Sequence, residues 1–352
     1  MNLIQDFWKN KRVFLTGHTG FKGTWMTLLL ESFGAKVTGF SLEPNTDPSF
    51  FNIIKNNLQI NSVIGDIRDF TFLEKTIKNC KPEIIIHMAA QPLVRRSYDD
   101  PIETYSTNVM GLVNLFVISK KIKCLKAIIN ITSDKCYENN EWVWGYRESD
   151  RVGGHDPYSN SKACSEIVTN SFRKSFFNDL NIGLATARAG NVIGGGDWSK
   201  DRLVPDYIRA WQANKTLVIR NPNAIRPWQH VLEPLTGYLI LCQELYKDFI
   251  KYNGAWNFGP NDLDMLPVKS LINIIQENLP NKAKVEFSKA KMAHEAKLLR
   301  LDSSKSKNFL RWKDRWSVNE ALKNTLDWYR AYYSSQPMHS FSMDQINNYF
   351  KS

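Results

Sequence analysis

The chain has 352 residues, room for one large domain or two ordinary ones. At 43% hydrophobic and 23% charged it has the make-up of a soluble globular protein, which argues against disorder and against a fibrous repeat. A net charge of +11 suits nucleic acid, an acidic membrane surface or a phosphorylated small molecule.

The cationic residues are spread along the chain, and the densest cluster, KKIKCLK (120–126), reads as the solvated end of a helix. No nucleic-acid-binding module is visible, so no nucleic acid is expected as a partner. The longest apolar stretches, such as LVNLFVI (112–118), are too short to span a bilayer, so no membrane is expected either. The N-terminal MNLIQDFWKNKRVFL carries Asp6 early and no apolar core with a cleavage site follows, so it does not read as a signal peptide. Cys80, Cys124, Cys136, Cys164 and Cys242 are odd in number and form no CxxC pair. That supports neither a disulfide framework nor a metal site, and reduced thiols in a cytoplasmic protein are the simplest reading.

In chain order, strands are expected at 12–16, 36–40, 62–64, 83–88, 127–132 and 181–188, from short β-branched runs. Several are apolar on successive positions, as strands buried on both faces should be. Helical spacing separates them: Trp25, Leu28 and Leu29, with Gly34 as the stop; then Phe72, Leu73, Thr76 and Ile77; then Val109, Leu112, Val113, Phe116 and Val117. Alternating β and α elements of these lengths predict an α/β fold, a Rossmann-type doubly wound parallel sheet. After residue 188 come two loops, AGNVIGGGDWSKDRLVP and RNPNAIRPWQHV, then helical segments at 204–213, 231–248, 268–278 and 317–333. The expected division is a Rossmann domain over 1–188, with a return near 229–257. A smaller C-terminal substrate-binding lobe is expected to comprise 189–228 and 258–352.

TGHTGFKG (16–23) follows the first strand and opens the first helix. Gly17, Gly20 and Gly23, three apart, allow a tight turn and close approach of backbone to a pyrophosphate at the helix N-terminus. At the end of the second strand Ser41 stands where an acid would favour NAD. No arginine between 24 and 67 favours NADP, so NAD is expected. Asp66, after the third strand, either accepts from an adenine amino group or caps the next helix. Ala89, Ala90 and Gln91 end the fourth strand with room for a cofactor. Tyr158 and Lys162, in YSNSK, fall one helical turn apart on one face. A phenol acting as a base needs its pKa depressed, which a neighbouring ammonium and a nicotinamide cation would both supply.

In this order the glycine pattern, HMAAQ (87–91), TNVMGLVNL (107–115), Ser133 and the Tyr158/Lys162 pair resemble the extended short-chain dehydrogenase/reductase family. More narrowly, GHTGFKGTW, TSDKCYEN, ARAGNVIGGGDW and RPWQHVLEPLTGYL resemble the CDP-glucose branch of its nucleotide-sugar 4,6-dehydratases. The resemblance implies NAD as cofactor, held by Gly17, Thr19, Gly20, Phe21, Lys22, Gly23, Ser41, Asp66, Ile67, Ala89, Ala90, Gln91 and Asn108 together with Tyr158 and Lys162. It implies a nucleotide-diphosphate sugar as substrate, CDP-glucose favoured, met by Asn191, Arg202, Arg226 and Glu295. Ser133, Tyr158 and Lys162 are the set shared with 4-epimerases. Dehydratases add two groups after the serine or threonine, usually Asp-Glu, and here Asp134 and Lys135 occupy those places as acid and base.

A lysine base must lose its proton from a reference pKa of about 10.4. Adjacent strand residues face opposite ways, so both can reach one sugar only where the backbone bends. His230, Trp198 and Trp228 read as structural. The family also implies a homodimer or homotetramer paired through helices near 104–121 and 158–176, and products that feed deoxysugars of bacterial surface polysaccharides. Open alternatives are a dehydratase for another nucleotide hexose or heptose, a 4-epimerase, and a non-catalytic NAD-binding regulator.

Overall fold

The structure, a computed structural model, describes residues 5–219, 221–288 and 298–352. Its centre is a parallel sheet of seven strands: β1 (Arg12–Thr16), β2 (Lys36–Ser41), β3 (Asn61–Ile64), β4 (Ile84–His87), β5 (Ala127–Ile131), β6 (Gly183–Ala189) and β7 (Gly254–Phe258). The spatial order is β7-β6-β5-β4-β1-β2-β3. The chain winds outward from β1 to β3, then returns to the other side of β1 with β4. The topological switch point therefore lies between β1 and β4, where ligands of such sheets bind.

The central strands β4, β5 and β6 are buried along their whole length. Their pleat sends alternate residues into two cores. Leu15, Ile86 and Ile129 join the larger one, whereas Phe14, Ile85 and Ile128 join the other. The smaller core is closed by helices α2 (Phe70–Cys80) and α3 (Gly111–Ser119). The larger takes in α1 (Phe21–Ser32), which precedes both in the chain. α1 buries Trp25, Met26, Leu28, Leu29 and Leu30, more than a single face. It ends as its sequence implies: Gly34 sits at φ +74, Ala35 N–H bonds Leu30 O at 3.0 Å, and Gly34 N–H bonds Glu31 O at 2.9 Å.

The remaining helices of ten residues or more are α4 (Pro157–Phe172), α5 (Leu203–Gln212), α6 (Leu232–Lys247), α7 (Val268–Asn278), α8 (Val318–Tyr333) and α9 (Met338–Lys351). The six expected strands are present, the first with the expected ends and the others with ends moved by at most two residues. β7 and α9 were not among the expected elements. GAWNF has no β-branched run, and the α9 sequence is mostly polar. β7 pairs with β6, so the chain returns to the sheet after its long loops. Short strand pairs order the rest of the C-terminal half: 217–219 with 285–287, and 225–227 with 265–267. Among the described residues no helix is long and apolar enough to cross a membrane.

Candidate active site

The site is built at the carboxyl ends of β1, β4, β5 and β6. Thr16 Oγ1 accepts from the N–H groups of Met88 and Ala89 at 3.0 and 3.1 Å, which ties the glycine loop to the end of β4. Gly17 has φ +77, and a Cβ on it would stand 2.8 Å from Ala89 N. A Cβ on Gly23 would stand 2.0 Å from Gly17 O. The fold itself demands both glycines. Gly20 is different. It caps α1 at an ordinary φ of −76 with no side-chain cap, and a Cβ there would meet only Gly17 O, at 3.5 Å. Bare backbone at a helix N-terminus, next to open space, fits a pyrophosphate.

Around this loop, Ser41 and Thr19 share a 2.8 Å hydroxyl contact, and Thr19 donates onward to Leu42 O. Phe21 packs near Gly194. Asp66 does not cap α2. That position belongs to Asp69, which accepts from Phe72 N–H at 3.0 Å. Asp66 instead binds the Arg68 side chain at 2.6–3.0 Å, and this pairing holds its carboxyl below the usual range. Ile67 is buried against Gly111. Ala89 and Ala90 are half-buried. Asn108 clasps the backbone of Gln91, accepting from its N–H at 2.8 Å and donating to its carbonyl at 3.1 Å, and reaches Ser161 at 2.9 Å.

After β5 the backbone bends as the two-group requirement demands. Residues Asp134–Cys136 form a 3-10 turn, capped by Ser133 Oγ accepting from Lys135 N–H at 3.2 Å. The turn breaks the strand's alternation at Asp134 and Lys135. Asp134 is 2% exposed. Its Oδ1 accepts from the Ser133 hydroxyl at 3.0 Å, and its Oδ2 is buried with no partner among the described residues. Burial raises its pKa, opposed by the charges of Lys135 and Arg226 and by the bond from Ser133. Lys135 is half-buried.

α4 starts at Pro157 with Asp156 accepting from Ser159 N–H, which sets Tyr158 in its first turn. Burial pushes the Tyr158 phenol up to about 12, while its hydrogen bond with Ser133 and the Arg202 charge pull the other way. Lys162 Nζ donates to Ile131 O at 3.2 Å, and burial lowers this amine to about 8. From the loops beyond β6, Arg202 donates to Asp197 Oδ2 at 2.8 Å, and the buried Arg226 donates to Ile225 O at 2.9 Å. Asn191 is half-buried, its carbonyl accepting from Gln229 N–H at 3.3 Å. Glu295 lies outside the described residues. Trp198 packs edge-on against Trp328, Trp228 Nε1 donates to Leu266 O, and His230 is buried against Trp316; all three are core residues.

Of two further participants, Lys22 was expected in the cofactor loop and Tyr238 was not singled out by the sequence. The Lys22 side chain turns inward and donates to the Tyr238 hydroxyl of α6 at 3.3 Å. Burial lowers Lys22 to about 7, helped by the charges of Arg202 and Lys162 and opposed by that of Asp134. No periodicity distinguishes Tyr238 from its buried neighbours in α6. Lys22 and Arg226 thus act on the buried acid, Arg202 acts on the phenol, and Lys162 and Arg202 act on Lys22, an accumulation of positive charge suited to an anionic ligand. A cavity of about 970 Å³ lies elsewhere, against α6 and α9, and shares no residue with this cluster.

A family model described as GDP-mannose 4,6 dehydratase matches residues 14–325. The chain is 51% identical over 350 residues to a CDP-glucose 4,6-dehydratase of Salmonella typhimurium, covering 98% of each. Among solved structures, MoeE5 in complex with UDP-glucose and NAD superposes with a TM-score of 0.78 at 19% identity, over 91% of this chain and 99% of that one. A dTDP-glucose 4,6-dehydratase of Bacillus anthracis in complex with NAD gives 0.76 at 21% identity, over 93% and 99%. At such identities these two structures speak for a shared fold.

Proposed function

The chain belongs to the GDP-mannose 4,6 dehydratase family, and from that membership we propose that it is an NAD-dependent hydro-lyase converting CDP-glucose to CDP-4-keto-6-deoxyglucose and water. The observation that carries this reading is the 51% identity along the whole chain to a CDP-glucose 4,6-dehydratase. The site supports it, because a buried acid and an amine on one turn adjoin Ser133, Tyr158 and Lys162. An epimerase has no need of that added pair.

NAD would lie along the glycine loop from Gly17 through Thr19, Gly20, Phe21, Lys22 and Gly23. Ser41, Asp66 and Ile67 would flank its adenosine side, and Ala89, Ala90, Gln91, Asn108, Tyr158 and Lys162 its nicotinamide side. When bound, it supplies the hydride acceptor at C4 of the sugar and the hydride donor at C6. Tyr158 takes the proton of the C4 hydroxyl, and Ser133 hydrogen-bonds that oxygen. Burial holds the free phenol at about 12 rather than depressing it, so the phenolate would be favoured by Lys162 together with the positive charge of the bound nicotinamide. Oxidation at C4 acidifies the C5 hydrogen, which Lys135 removes and returns to C5 once C6 has received its hydride. Asp134, whose pKa burial raises, gives its proton to the departing C6 hydroxyl. Asn191, Arg202 and Arg226 meet the diphosphate, arginine being suited to bond two phosphate oxygens at once, and Glu295 approaches the nucleoside.

Residues 1–188 with a return near 229–257 serve the cofactor in this reading, and 189–228 with 258–352 serve the nucleotide sugar. The protein works in the cytoplasm as a homodimer or homotetramer. Exposed Ile102 and Met110 near α3, and exposed Ile167 and Phe176 on and just after α4, support pairing through those helices. Its product feeds deoxysugars of bacterial surface polysaccharide, lipopolysaccharide O-antigen included.

The test is incubation with CDP-, dTDP-, GDP- and UDP-hexoses in separate reactions, reading the ultraviolet signature of a 4-keto sugar in alkali. Turnover of the CDP sugar alone, or far ahead of the rest, is the expected result. Preferred turnover of another nucleotide sugar overturns the substrate assignment, and an epimer as product overturns the reaction.

A further inference from the structure

Six residues, 132–137, carry the chain out of β5 and through the turn that presents Asp134 and Lys135. Both ends of this segment are fastened to one buried ion pair. At the leading end Thr132 Oγ1 donates to Glu166 Oε1 at 2.5 Å. At the trailing end the Tyr137 hydroxyl accepts from Arg188 Nη1 at 2.7 Å and donates to Asn257 Oδ1 at 2.8 Å. Glu166 of α4 and Arg188 of β6 are joined by Nε–Oε1 and Nη2–Oε2 bonds of 2.9 and 2.8 Å. Thr186, two residues earlier on β6, donates to Glu166 Oε2 at 2.7 Å. The carboxylate therefore accepts four hydrogen bonds, its full capacity. The guanidinium also sits over the Tyr137 ring, 4.8 Å from its centroid. Every polar group here is satisfied, and buried networks of that kind are rigid.

None of these residues is among those assigned to substrate or cofactor. Yet Glu166 lies one helical turn beyond Lys162 and two beyond Tyr158 on α4. The element that carries the phenol and amine for C4 oxidation thus also anchors the turn that carries the groups for elimination. We propose that the Glu166–Arg188 pair is a positioning device, which through Thr132 and Tyr137 holds the 134–136 turn at the distance from α4 that C5/C6 elimination needs. This rests on the roles given above to Asp134 and Lys135. Glu166 and Arg188 are positioning residues and touch no reacting atom.

Replacing either charge risks unfolding, so the test loosens the two tethers singly in the full-length enzyme. Tyr137→Phe and Thr132→Val each delete one hydroxyl, and Thr132→Ser keeps it. Two readouts are taken with NAD and CDP-glucose: the rate at which reduced nicotinamide appears, which reports C4 oxidation, and the rate of keto-deoxy product formation. A third, hydrogen exchange of the peptide spanning 132–138, is independent of catalysis.

The expected result is faster exchange in Tyr137→Phe and Thr132→Val, with elimination slowed roughly ten- to a hundredfold, as small misplacements of catalytic groups do, and C4 oxidation little changed. Thr132→Ser should match the parent in all three. Unchanged exchange overturns the proposal, because the tethers then do not hold the turn. Equal slowing of oxidation and elimination also overturns it, since the network would then be structural support only. So does faster exchange with elimination untouched. Failure of the underlying assignment shows separately, as an Asp134→Asn enzyme that eliminates at the parent rate.

Discussion

The Lys22 ammonium donates to the Tyr238 hydroxyl across 3.3 Å, which ties the first turn of α1 to the middle of α6 inside the cluster that encloses Asp134. A glycine loop needs only backbone to hold a pyrophosphate, so an inward lysine at its end adds something the loop does not require. With its value lowered to about 7, Lys22 is poised to change charge when a ligand arrives. A pyrophosphate at the α1 N-terminus favours the cation and raises that value. Between the two values, binding must therefore take up a proton. Calorimetric titration with NAD, roughly one pH unit above the free value and in buffers of different ionisation enthalpy, should show uptake approaching one proton. Lys22→Met should abolish the uptake and weaken NAD roughly ten- to a hundredfold, the range of a lost charge-assisted hydrogen bond. Uptake that survives in the variant would assign it to another group.

Asp134 has the clearest acid–base signature. Burial is the largest influence on it and raises its pKa, so the carboxyl keeps its proton to higher pH than an exposed aspartate. A general acid works in its protonated form, so elimination should fall as pH rises through that raised value. Asp134→Asn keeps the shape and removes the proton. C4 oxidation should persist while product formation drops about 10²- to 10⁴-fold, the usual contribution of a positioned general acid. Stopped-flow absorbance should then show reduced nicotinamide accumulating. An Asn variant that gives product at the parent rate, or loses oxidation equally, would refute the acid assignment.

The Glu166–Arg188 pair makes a prediction about stability apart from catalysis. The network outweighs the desolvation of Glu166 and lowers its folded pKa below 4.5. Its stabilisation is therefore complete above the unfolded value and is lost as pH falls through the depressed folded one. Glu166→Gln leaves a buried guanidinium without its counter-charge, which costs about 3–5 kcal/mol. Urea denaturation at neutral pH should show that loss. The parent and variant curves should converge toward acid, where the parent's carboxylate is also neutral. A constant difference down to low pH would mean that packing, not charge, holds the pair.

The sheet was legible because its central strands are buried on both faces, so IIIH and AIINI are runs of one character. β7 escaped because Trp256, Asn257 and Phe258 gain their places from contacts with distant segments: Asn257 alone bonds Tyr146, Asp302 and Tyr137. The positions of Ser133, Tyr158 and Lys162 could be found by spacing, since a strand end and one helical turn are local geometry. The bend after Ser133 could be required by argument but not seen, because it depends on a cap 3.2 Å long and on tethers to α4 and β6. Lys22 was expected among the cofactor-binding residues of the glycine loop. The direction of its side chain depends on Tyr238, 216 residues away in the chain. Periodicity reports faces of elements, and it carries no information on which side chains from different elements meet.

The three loop glycines separate folding from binding. Gly23→Ala puts a methyl 2.0 Å from Gly17 O, an overlap with backbone that only a shift of the α1 turn can relieve. That variant should melt well below the parent and lose NAD binding together with stability. Gly20→Ala meets Gly17 O at 3.5 Å, an ordinary contact, and its φ of −76 suits alanine. Its melting temperature should match the parent's within error. Yet the added methyl stands at the N-cap of α1, where the pyrophosphate needs unobstructed N–H groups. NAD affinity should therefore fall in Gly20→Ala without loss of fold, measured by calorimetry beside thermal melting. If Gly20→Ala binds NAD as the parent does, the pyrophosphate does not rest on that helix end, and the cofactor assignment of the loop fails.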